Sequence, residues 1–160
     1  MLGAFGAPPA DNAHTAVPGA NVAAIVGFVL DSVRKERPRV LLLHAGTNDL
    51  GELGGLPAAA EAIGTLLDRV REAVDGVVVV VAEVGPVGFR EEAVRAYNER
   101  LRRVVRERRD SGARVMSVWV GAEIEAEDML DLVHPNEKGY AKMAKVWKRA
   151  LEACAIEGWL

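Results

Sequence analysis

Arg39-Val40-Leu41-Leu42-Leu43-His44 and Val77-Val78-Val79-Val80-Val81-Ala82 are the two stretches that decide the fold. Each is a short, near-continuous apolar run with no alternating polar face to turn toward water. A strand of that kind is expected where both faces of a sheet are covered, as in a parallel sheet packed between helices. The second run, with five consecutive valines, is the clearer of the two.

Around these strands the apolar residues recur at helical spacing. Val22, Ala23, Ile25, Val26, Val29, Leu30 and Val33 form one such stripe, and Pro38 stops that helix by Arg37. Pro57 opens a second helix with Ile63, Leu66, Leu67, Val70 and Val74 inward, at a position where its missing N–H costs little. Residues 91–109 form a third, burying Val94, Tyr97, Leu101, Val104 and Val105. A further strand is expected over 113–120, then an acidic loop or short helical turn over 121–132. Asn136 is placed to cap a last helix running to about residue 155, with Tyr140, Met143, Val146, Trp147 and Leu151 on or near its buried side.

With a short strand at 2–5, the order is strand then helix, repeated four times. That predicts a three-layer α/β/α sandwich around an open parallel sheet, flavodoxin-like, with right-handed crossovers. The 160 residues form one domain, 1–160, and suffice for a sizeable core.

Composition narrows the function. Half the residues are apolar and 27% are charged, as in a globular domain, and the formal net charge of -3 leaves no nucleic-acid footprint. The arginines at 100, 102, 103, 106, 108 and 109 alternate with apolar positions and are offset by Glu99, Glu107 and Asp110, so they read as a solvated helix face. No run approaches membrane-spanning length, and no basic leader precedes Pro8-Pro9, which makes a cytoplasmic location the default expectation. Cys154 is the only cysteine and reads as a small buried hydrophobe. No Gly-x-Gly-x-x-Gly or phosphate-loop lysine motif occurs, and no metal or cofactor is expected; the partner called for is a small-molecule substrate.

Open parallel sheets bind ligands at the carboxyl ends of their strands. Two segments fall there. His44-Ala45-Gly46-Thr47-Asn48-Asp49 leaves the first apolar strand, so the Asn48 amide could support an oxyanion; an Asx-turn at Asn48 or Asp49 explains the same residues equally well. Asp131-Leu132-Val133-His134-Pro135-Asn136 directly precedes the last helix. An Asp that fixes one imidazole nitrogen leaves the other free to take a proton, although an Asp-x-x-His pair also serves as a local cap.

These two blocks resemble the Gly-x-Asn-Asp and Asp-x-x-His-Pro blocks of SGNH/GDSL-type serine hydrolases, esterase- and lipase-like enzymes. The resemblance runs over nearly the whole chain. It implies His134 as the proton-transfer residue, Asp131 as its partner and Asn48 as an oxyanion donor. The weaker stretch Asp11-Asn12-Ala13-His14 through Gly19 is similar to the loop that supplies a backbone donor, placed on Gly19; Asp11 and His14 are secondary candidates for substrate contact or an additional acid, and Thr15 in the same loop for substrate contact or, as a minor alternative, a threonine nucleophile.

The departure from the family is the nucleophile. The family's Gly-Asp-Ser strand, which lies inside the sheet between those matching 2–5 and 40–44, has no counterpart here. Ser32 falls in a predicted helix, Ser111 at a helix exit and Ser117 in a strand. Three functions are therefore expected as alternatives. One is acid–base chemistry on a carbonyl or ester substrate without serine, covering hydrolysis by water, elimination, isomerisation or cyclisation. Another is a conventional esterase or deacetylase of which this is a truncated chain. The third is a pseudoenzyme that binds a small molecule or a partner. The gap left by the unit also suggests a homodimer packed across it.

Overall fold

The computed structural model of the chain describes residues 12–51, 55–85, 87–88 and 90–160. The expected strand at 2–5 and the candidate Asp11 lie outside the described residues. Among the described residues four α-helices and three strands alternate: α1 (Val22–Glu36), β1 (Val40–His44), α2 (Gly55–Ala73), β2 (Val78–Glu83), α3 (Glu91–Asp110), β3 (Val115–Trp119) and α4 (Glu137–Ile156). Each boundary falls within a few residues of its expected place.

The helix ends have local causes. The Asn21 side chain accepts from the Ala24 N–H at the start of α1. At its end Arg37 takes a left-handed conformation, φ 45°, because the following Pro38 disfavours a further helical residue there. Pro57 sits in the first turn of α2, where its nitrogen has no helical acceptor to serve. Asn136 caps α4 by accepting from the Gly139 N–H at 3.1 Å.

The strands are parallel, in the order β1-β2-β3, with Leu42 opposite Val80 and Val80 opposite Met116. β2 is buried along its whole length, as its valines require. Alternation divides the sheet residues between two cores. Leu43, Val79, Val81 and Val115 pack with α1, α2 and α3 on one face. Val78 and Val80, with Val40, Leu42 and Met116, pack on the other face against Ala150, Leu151, Trp147 and Cys154 of α4. Cys154 is buried there, as its neighbours in the sequence suggest.

β1 pairs with β2, and its other side has no strand partner among the described residues. Consistent with that, Val40, Leu41 and Leu42 are only partly buried, whereas the equivalent positions of β2 are closed.

Candidate active site

β1, β2 and β3 end at His44, Glu83 and Trp119, and the loops that follow converge on one edge of the sheet. Two neighbouring residues of α3 anchor the first two loops. The Tyr97 hydroxyl donates to the Ala45 carbonyl at 3.2 Å. The Asn98 side chain donates to the Val84 carbonyl at 3.0 Å and accepts from the Val84 N–H at 2.9 Å, which satisfies a buried loop residue completely.

The loop after β1 holds the end of the preceding segment in place. Asn48 donates through Nδ2 to the Ala20 carbonyl at 2.8 Å. The buried Asp49 carboxylate accepts from the Val22 N–H at 3.0 Å, at the positive end of α1. Asn48 and Asp49 thus fix the turn containing Gly19, which has φ +72°. An amide nitrogen carries two hydrogens, so the bond to Ala20 leaves Asn48 one donor to offer a ligand.

The third loop carries the Asp-His pair on a tight excursion. Met129 and Pro135 form an antiparallel bridge, and the Leu130 N–H donates to the His134 carbonyl at 2.7 Å. The Gly88 N–H donates to the Leu132 carbonyl at 2.7 Å, which ties this excursion to the loop after β2. Below it, the fully buried Asp128 pairs with Lys142 of α4, and Asn136 donates through Nδ2 to the Glu127 carbonyl at 2.8 Å. A Cβ at Gly139 would meet the Asp128 carbonyl at 2.5 Å, so glycine is what lets the loop lie against the start of α4.

Asp131 does two things at once. Its Oδ1 accepts from the Val133 and His134 N–H groups, both at 2.7 Å, and its Oδ2 lies 2.9 Å from His134 Nδ1. The backbone donors of His134 and Val133, and then the imidazole, hold the carboxyl at about 2, well below the usual carboxylate range. An ionised Asp131 makes Nδ1 the protonated nitrogen of a neutral ring. Nε2 is then unprotonated and free to accept a proton. The turn-forming and catalytic readings of this spacing are therefore compatible.

His134 and Asn48 line the same cleft, of about 330 Å³, together with Gly19, Thr47, His44 and Tyr140. Its walls are apolar, from Val17 and Val87 to Ile124 and Met143. His14 and Thr15 are exposed and are not among the lining residues; the Thr15 hydroxyl pairs with Ser32 on α1 at 3.1 Å. None of the three serines lines the cleft either. The Ser111 hydroxyl donates to the Arg108 carbonyl at 2.8 Å, and Ser117 hydrogen-bonds Glu83 within the sheet. A second depression, of about 290 Å³ between α2 and α3 at Pro57, Ala96 and Arg100, carries none of the candidate residues.

His44, Thr47 and Tyr140 were not singled out as site residues from the sequence. His44 is solvent-contacting where it faces the cleft, yet the protein packed around it pushes its pKa below the ordinary histidine value. The alternation of β1 at a carboxyl strand end was the signal that could have found it. Among the described residues no group of three or more potential metal ligands comes together, and no helix is long and apolar enough to cross a membrane.

The model of the GDSL-like lipase/acylhydrolase family matches residues 2–142. A multidomain esterase of Ruminococcus flavefaciens is 31% identical over 130 residues, a match covering 76% of this chain and 16% of the relative, so the chain spans about a sixth of that protein's length. Among solved structures, a family 3 carbohydrate esterase of Clostridium thermocellum superposes with a TM-score of 0.73 at 24% identity, over 86% of this chain and 68% of the other. One from Talaromyces cellulolyticus gives 0.75 at 20% identity, over 86% and 69%. These two likenesses show the shared α/β fold.

Proposed function

The chain belongs to the GDSL-like lipase/acylhydrolase family, and on that premise we propose that its cleft hydrolyses acyl esters of uncharged alcohols. The observation that carries the reading is the Asp131–His134 pair, with Nδ1 held at 2.9 Å and the ring lining the same cleft as Asn48. His134 Nε2 removes a proton from the nucleophile as it attacks the ester carbonyl, and later returns one to the departing alcohol. The Asn48 amide and the Gly19 N–H receive the charge that develops on the carbonyl oxygen. Elimination, isomerisation and cyclisation need the same base and anion site, but the esterase relatives favour hydrolysis.

Two nucleophiles suit this arrangement. With the serines of this chain outside the cleft, His134 activates water directly. A specific observation favours a second reading, in which a serine on an added strand is the nucleophile. The Asp131 and His134 side chains are 53% and 65% exposed, and β1, which ends at the same side of the sheet, has no strand partner on one side among the described residues. Their exposure is what a site with one wall unfilled would show, and a strand beside β1 would fill it.

Hydrolysis of 4-nitrophenyl acetate, run beside labelling with a fluorophosphonate that modifies activated serines, tests the proposal. Turnover without labelling supports water as nucleophile. Turnover restored together with labelling when an upstream segment is supplied supports the added serine. Absence of turnover in both preparations leaves the binding-only alternative and defeats the proposal.

A further inference from the structure

We infer that His44 reads the alcohol portion of the substrate, donating to or accepting from a hydroxyl group beside the ester being cleaved. The inference rests on the hydrolase reading above and adds to it a residue that selects hydroxylated esters over plain alkyl esters.

His44 closes β1 on the same face as Val40 and Leu42, so alternation directs it to the α4 side of the sheet, where the cleft lies. Two residues of the following loop, Thr47 and Asn48, line the cleft with it. His44 is exposed to solvent at the cleft, and its ring has no hydrogen-bond or ion-pair partner among the described residues.

The surrounding protein disfavours the charged ring, which leaves a neutral imidazole with one donor and one acceptor. A hydroxyl group is the partner that matches both, since it too donates and accepts. A carboxylate or ammonium is not matched, because no Asp, Glu, Lys or Arg lines the cleft among the described residues. His134 has its Nδ1 committed to Asp131 and Nε2 to proton transfer, so the second histidine is the one left for recognition.

Imidazole resonances of the full chain test this, because His14, His44 and His134 are its only histidines and substitution assigns each. The probes are glycerol monoacetate and ethyl acetate, which share the acyl group and differ in hydroxyls. The monoacetate is expected to shift the His44 ring saturably and to bind about fivefold tighter than ethyl acetate, as one added hydrogen bond gives. In His44→Phe that ratio falls to near one; His44→Gln, which keeps a donor and an acceptor, retains part of it and serves if the phenylalanine variant does not fold. Equal responses to both esters, or a response at His134 with none at His44, overturn the inference and leave the hydrolase reading standing. No response at either ring, with no hydrolysis of either ester, overturns both.

Discussion

The Tyr97 side chain fills the space in front of Gly46. A Cβ at Gly46 would lie 2.5 Å from the Tyr97 hydroxyl and 2.6 Å from Cζ, and Gly46 has φ +115°. Glycine is thus required twice over, by backbone conformation and by the ring that reaches across to the Ala45 carbonyl. Tyr97→Phe deprives a buried carbonyl of its donor and is expected to cost about 1–2 kcal/mol in urea denaturation. Gly46→Ala should cost more. Combining the two should not rescue the alanine variant, because the ring carbons Cζ and Cε1, at 2.6 and 2.9 Å from the added Cβ, remain in phenylalanine.

Asp49 links the loop after β1 to α1. Asp49→Ala leaves the buried Val22 N–H without its acceptor and should destabilise the fold by about 1–3 kcal/mol. Asp49→Asn keeps an oxygen acceptor and removes a negative charge from the start of α1, so a smaller loss is expected. Burial, and then the Asp49 charge, raise the Tyr97 pKa, and in Asp49→Asn the tyrosine should ionise at lower pH than in the parent. An ultraviolet titration of the phenol checks the direction.

The Asp131 carboxyl provides a pH prediction with a definite sign. Its folded-state pKa, about 2, lies below the ordinary 3.8. Its contribution to loop stability is therefore fully present above the ordinary value and is lost as pH falls through about 2. The side-chain carbon signal should show a midpoint near 2, with the Val133 and His134 amides moving in step. Because the two backbone donors are the largest causes, His134→Ala should preserve most of the shift. A midpoint returned to 3.8 in that variant would mean that the imidazole, and not the turn, holds the carboxylate.

The sheet and its helices were legible in the sequence because their signals are local. Valine runs, helical spacing behind Pro57 and the Asn136 cap each act within a few residues. The pairing of Asp131 with His134 was legible for the same reason, the two being three positions apart on one turn. His14 and Thr15 were less so: their place relative to the cleft depends on how residues 12–21 pack, and Thr15 meets Ser32 rather than the site. His44 required knowing that the cleft opens on the α4 side of the sheet. The anchoring by Tyr97 and Asn98 was hidden for a further reason. Both lie on a buried helical stripe, where Tyr97 has an apolar explanation, and their bonds to Ala45 and Val84 cross from one chain segment to another.

The central claim is that His134 moves the proton in ester hydrolysis, and His134→Ala tests it most directly. The measurement is the rate of 4-nitrophenyl acetate hydrolysis, above the uncatalysed rate, at equal concentrations of folded parent and variant. With its side chain 65% exposed, His134 contributes little to folding, and the variant should melt within about 0.5 kcal/mol of the parent. The account predicts a fall in kcat of about 10²–10⁴-fold for losing a general base. A folded His134→Ala protein that hydrolyses the ester at the parent's rate would contradict it.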